Sequence, residues 1–137
     1  MVNNSFQASL PHIDTLWTRP NLSATYANET IELLNLNTYD GIEIIWSGLI
    51  PVSGKANYTT STGFLPFSIL TEEIQFNLRF VITNNAVDVR EFSIDLANNT
   101  ITFTGTCSNH RCAPQKILGY KGFMWLFYTK LLLNISN

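Results

Sequence analysis

Apolar and polar residues alternate along several stretches of the chain, most clearly between Val89 and Tyr120, VREFSIDLANNTITFTGTCSNHRCAPQKILGY. Phe92, Ile94 and Leu96 fall two apart with Glu91, Ser93 and Asp95 interleaved, the period that buries one face of a strand and wets the other. Ile101 and Phe103 continue the pattern on a second arm. Folding the chain about Asn98 and Asn99, which tolerate the positive φ of a two-residue hairpin turn, predicts Leu96 opposite Ile101 and Ile94 opposite Phe103. A closing strand is expected over Lys116 to Tyr120.

Upstream the same reading predicts further strands. Thr30 to Leu36 is long enough for a strand and short for a helix, and Tyr39-Asp40-Gly41 makes a turn after it. Ile42, Ile44 and Trp46 then mark a strand apolar enough to be central in a sheet. Gly48, Pro51 and Gly54 punctuate its exit, and Lys55 to Gly63 reads as an exposed strand or a surface loop. Pro66 confines FLPFSIL to an edge or a bend, because proline cannot donate to a ladder. Ile74, Phe76, Leu78, Phe80 and Ile82 form a strong alternating strand that Asn84-Asn85 ends as a turn. About seven or eight short strands without an amphipathic helix before Tyr120 predict an all-β chain, an antiparallel β-sandwich of jelly-roll type. Residues 1–15 are expected as an N-terminal arm, 16–122 as the domain and 123–137 as an apolar C-terminal extension.

The extension, FMWLFYTKLLL from Phe123 to Leu133, is too short to span a bilayer, which takes about 20 apolar residues. Three roles stay open for it: an extra strand or short helix on the domain, a contact with another subunit, or a membrane-touching end. A strand or short helix turns one side of such a run outward, so a homo-oligomer is expected, with Phe123, Trp125, Phe127 and Leu131 in the contact.

Composition narrows the function. Charged residues are 13% of the chain and the net charge is −2, so no basic field exists to attract phosphate, and nucleic acid is not an expected partner. The N-terminus lacks the basic and apolar regions of a secretory signal. Asn-x-Ser/Thr triplets at Asn21, Asn28, Asn57, Asn98 and Asn134 are what an Asn- and Thr-rich chain produces by chance. Cys107, His110 and Cys112 lie close together, and free thiols, a disulfide across the loop and a metal site all remain open. A structural zinc site wants four ligands, and the other histidine, His12, falls in the expected arm. No catalytic triad, phosphate loop or cofactor motif is legible, and Glu72-Glu73 reads as solvated charge. Among the aromatic residues, Trp17 and Tyr58 are the candidates for stacking on a sugar, whereas Trp46, at an alternating strand position, reads as core.

Two stretches carry a family likeness. LWTRPNLSATYANETIELLNLNTYDGIEI, Leu16 to Ile44, resembles the LWTN-P, F-A-Q-T-I-x-L and YD-x-I-x-I pattern of small proteins and domains encoded in the structural regions of tailed phages and prophages of gut bacteria. Val89 to Gly122 is similar to their ending, with Arg90, Cys112, Pro114, Lys116, Ile117, Gly119 and Lys121 at matching places. Ala113 stands where those proteins usually carry a β-branched apolar residue, and the chain after Gly122 runs past their usual terminus. The resemblance implies a non-enzymatic virion protein of fibre, baseplate or capsid-decorating type, made in the host cytoplasm. Its partners would be copies of itself, often threefold, and other virion proteins. The alternative is a carbohydrate-binding module that attaches to the host surface.

Overall fold

The computed structural model describes residues 10–21, 26–47, 60–69, 75–83, 86–105 and 113–123. Among these residues the chain is all-β, with strands arranged in two antiparallel sheets. The first sheet contains β1 (His12–Thr18), β9 (Pro114–Lys121), β3 (Gly41–Trp46) and the short β4 (Thr60–Ser61), with β5 (Leu65–Pro66) also paired to β3. The second sheet runs β2 (Glu29–Glu32), β8 (Thr100–Thr104), β7 (Ala86–Asp95), β6 (Gln75–Thr83).

The alternation decides which side chains meet between the sheets. β3 is central, as its composition predicts, paired to β9 along one edge and to β4 and β5 along the other. Ile42, Ile44 and Trp46 point to one side and are fully buried with Ile117 of β9. They face Ile31, Phe92, Ile94, Ile101 and Phe103 of the second sheet in one continuous core. The Trp46 ring lies 5.6 Å from that of Phe103 and 6.4 Å from that of Phe92, so the core is joined across the sheets by aromatic contact.

Three expectations are corrected. The hairpin register differs by two residues: Ile94 pairs with Ile101 and Phe92 with Phe103. Asp95 causes the slip, because its carboxylate accepts the Asn98 N–H at 3.1 Å and the Asn98 side-chain amide at 2.7 Å. With Asn99 in the left-handed region at φ 55°, the loop takes in Leu96 through Asn99 and removes Leu96 from the ladder. A shift of two preserves the faces, so the apolar set is still shared.

The second correction concerns Thr30 to Leu36. β2 stops at Glu32, because Asn35 turns left-handed at φ 59° and a 3-10 turn follows over Leu36–Thr38. Leu33 and Leu36 are buried from this turn, whereas Leu34 is 87% exposed. The third concerns the arm: residues 12–15 are the first half of β1, paired with β9 from His12↔Lys121 onward. Pro66 does sit at an edge, ending β5 before the 3-10 turn Phe67–Ile69. The Asn84-Asn85 turn and most of Lys55 to Gly63 lie outside the described residues.

Candidate functional site: the outer face of the five-stranded sheet

The two sheets are dressed differently on the sides turned away from the core. On the four-stranded sheet, residues out of phase with the core are polar along β2 and β8, Thr30, Glu32, Thr102 and Thr104, and at the neighbouring end of β7, Glu91 and Ser93, while Val89 farther along β7 is apolar. Thr30 and Thr102, directly paired, join through their hydroxyl oxygens at 3.0 Å. That is the composition of a sheet face meeting water.

On the five-stranded sheet the corresponding face is apolar at one end. Ile13 of β1, Tyr120 of β9 and Gly41 of β3 form one row across the strands, and Pro66 of β5 extends it. Ile13 is 50% exposed. Leu118 adjoins the row, paired to Thr15 on one side and Glu43 on the other. Gly41 leaves room for an aromatic ring, since a Cβ there would collide with the Leu65 carbonyl oxygen and the Phe64 ring. Phe64 uses that room, its ring centroid 4.9 Å from that of Tyr120, and Phe123 approaches Tyr120 from β9's far end at 5.2 Å and 63°.

Asp40 fixes how the chain leaves this row. Its N–H donates to the Tyr120 carbonyl at 2.7 Å, and its carboxylate accepts the Gly122 N–H at 2.7 Å. Gly122 has φ 85°, a conformation that favours glycine, and the Phe123 ring lies against that of Tyr120. The Tyr120 hydroxyl donates to the Glu43 carboxylate at 3.3 Å; burial, then the Glu43 charge and this bond, raise the phenol above its ordinary value.

A second polar group lies at the sheet's rim. The Tyr39 hydroxyl donates to Asp14 at 2.7 Å, and burial, followed by that bond and the Asp14 charge, pushes its pKa up to about 12. His12 Nε2 is 3.4 Å from the same carboxylate, and the Lys121 ammonium lies 5.3 Å from the Tyr39 ring centroid.

Two arginines are buried between the sheets. Arg90 shares the parity of Phe92 and Ile94 on β7 and is fully buried. Its guanidinium lies 4.2 Å from the Tyr26 ring centroid, and that ring stacks on Trp46 at 6.5 Å and 29°. The Tyr26 hydroxyl donates to the Thr104 carbonyl, which ties the stack to β8. Arg19 follows β1, donates through Nε to the Pro114 carbonyl at 2.6 Å and forms an ion pair with Glu29 at the start of β2. It therefore links the two sheets.

Of the residues singled out by sequence, Trp17 is half-buried against the core, with the Arg19 guanidinium 5.1 Å over its ring. Phe123 sits on the outer face. Tyr58, Trp125, Phe127, Leu131, Glu72, Glu73, Cys107, His110 and Cys112 lie outside the described residues. Among the described residues no group of three or more His, Cys, Asp or Glu side chains could hold a metal ion, and no helix is long and apolar enough to cross a membrane. Sequence reading missed the Phe64–Tyr120 contact, because Phe64 lies outside any alternating run. It also gave Arg90 no inward role, although its even spacing from Phe92 and Ile94 was a usable signal.

Against models of known protein families and against curated proteins, the chain finds no match.

Proposed function

We propose that this chain is a non-enzymatic structural protein of a tailed-phage virion, in a fibre, baseplate or capsid-decorating position. In this reading it is a jelly-roll-like β-sandwich, and it associates with copies of itself, as a trimer in the arrangement common among such proteins. The observation that carries the self-association is the contrast between the outer faces. Thr30, Thr102 and Ser93 suit water, whereas Ile13, Leu118 and Tyr120 with Phe64 and Phe123 suit a dry contact.

The virion assignment draws on the resemblance, and the residues that carry it occupy positions with a structural purpose. Arg90 is buried beneath Tyr26, and Pro114, Ile117 and Gly119 are buried along β9. Ala113, the departure from the pattern, is also buried and exchanges two backbone-directed hydrogen bonds of 2.9 Å with Ser47.

Mass spectrometry of purified particles, compared with the soluble lysate of the same host, tests the location: the chain should copurify with particles, and its confinement to the lysate would overturn the proposal. Light scattering tests the association. The full chain should be larger than a monomer and a chain ending at Gly122 should dissociate; a full chain that stays monomeric at tens of micromolar rules the oligomer out. The alternative, a carbohydrate-binding module using Trp17 and Tyr58, predicts a selective signal on a glycan array that Trp17→Ala abolishes.

A further inference from the structure

We infer that the edge of β6 turned away from β7 pairs antiparallel with β6 of a second copy of this chain, in a register centred on Leu78, so that two four-stranded sheets become one. Among the described residues β6 is paired on one side, to β7, at the end of the order β2-β8-β7-β6. An edge strand presents a row of backbone donors and acceptors ready to pair, and native proteins blunt such edges with short strands, charges, proline or bulges. The other edges of this molecule carry those devices. β2 has four residues, among them Glu29 and Glu32, and β4 and β5 have two each. β1 carries His12 and Asp14 and is broken by a register shift between Thr15 and Trp17. β6 differs from all of these: it has nine residues without proline, Arg79 is its one charge, and its pairing to β7 is unbroken from Gln75 to Val81.

The symmetry of the strand names the partner. Leu78 is the middle residue of the unbroken stretch from Gln75 to Val81. A two-fold axis beside it sets Leu78 against Leu78 of the second copy, Asn77 against Arg79, Phe76 against Phe80 and Gln75 against Val81. The one charged position then faces an uncharged one, whereas a centre at Arg79 would oppose like charges, which weakens a strand pair. Antiparallel neighbours keep corresponding faces on the same side, so the polar face of Thr30 and Thr102 continues across the joint. The outer face of the five-stranded sheet takes no part. The contact is therefore separate from the association proposed above and does not rest on a place in a virion.

Amide hydrogen exchange of the full chain, followed residue by residue over a range of concentrations with size from light scattering, tests the pairing. The amides of Gln75 to Val81 that do not bond to β7 should exchange fast at high dilution and slow as copies associate. Asn77→Arg sets two like-charged pairs across the two-fold axis and should raise the concentration of half-association about two- to thirtyfold. Adding Arg79→Glu makes both pairs opposite in charge and should restore the parent's association. Asn77 pairs with Glu91 of β7, so the new charge is met within its own sheet and the fold is kept. Ile13→Lys, on an edge of the other sheet at a position 50% exposed, should leave the behaviour of β6 unchanged. Slow exchange at every dilution means that the chain covers this edge itself and overturns the inference, as does an Asn77→Arg variant that associates like the parent. Association that leaves exchange in β6 unmoved overturns it too, while the contact through the outer face of the five-stranded sheet stands. Exchange in β6 that still slows with concentration, in a protein whose size Ile13→Lys does not alter, upholds the inference and removes only that outer-face contact.

Discussion

Trp46 of β3 and Phe103 of β8 meet edge to face, with ring centroids 5.6 Å apart and planes at 81°. Each is fully buried, and each sits in a strand whose partners on both sides are also in place. The pair therefore fixes the spacing and register of one sheet over the other. Phe103→Ala should cost about 3–5 kcal/mol, the penalty for deleting a large ring from a core. Thr102→Ala, on the opposite side of the same strand, should cost far less; urea unfolding of the two variants checks the ratio, and similar losses would contradict the facing.

Arg90 over Tyr26 should resist conservative replacement. Lysine keeps the charge but lacks the planar guanidinium that lies 4.2 Å from the ring centroid, so Arg90→Lys should lose about 2 kcal/mol or more. A double-mutant cycle with Tyr26→Leu should return a coupling of about 0.5–3 kcal/mol. Strictly additive losses would show that the ring and the guanidinium act separately.

Alkaline pH should weaken the fold in a specific window. Tyr39, with its pKa raised from 10.0 to about 12, and Tyr120, also raised, both hold their protons more tightly folded than unfolded. The stability they contribute is complete below pH 10 and is lost as pH rises through the folded values. Melting temperature should therefore fall between about pH 10 and 12, and Tyr39→Phe should flatten that decline. An unchanged slope in the variant would place the titration elsewhere.

Gly41 and Gly119 should differ in their tolerance of a methyl group. At Gly41 the added Cβ meets the backbone carbonyl of Leu65, which cannot swing aside, together with the Phe64 ring. At Gly119 it meets the side chains of Tyr39 and Leu16, which can turn. Gly41→Ala should cost about 1–3 kcal/mol, and Gly119→Ala less than that. The reverse order in thermal melts would mean that β5 yields more readily than the Tyr39 ring.

What the amino-acid pattern revealed was parity. Period-two alternation places Ile42, Ile44, Trp46, Phe92, Ile94, Ile101 and Phe103 on inward faces, and all are buried. Local polar chemistry was less legible. The Asp95 carboxylate reaching Asn98, and Asn35 turning left-handed, each moved a strand end, because a side chain or a turn satisfied the backbone where a ladder was expected. The outer row was harder still: Ile13, Tyr120, Gly41 and Pro66 come from four strands distant in sequence, and only the pairing of those strands brings them into line.

The place of β9 between β1 and β3 has a consequence for how the protein is made. β6, β7 and β8 follow one another in the chain and pair as successive hairpins, so three of the four strands of their sheet can form from local contacts while synthesis is under way. β3 meets the short β4 and β5 soon after its own synthesis, but the edges that β1 and β3 turn toward each other wait: the strand that joins them, Pro114–Lys121, leaves the ribosome after every other described strand. Until then their edges stand open to any other nascent chain, and closing the sheet afterwards requires bringing together His12 and Lys121. Assembly of the five-stranded sheet should thus be the slow step of folding and the stage most open to rescue by a chaperone.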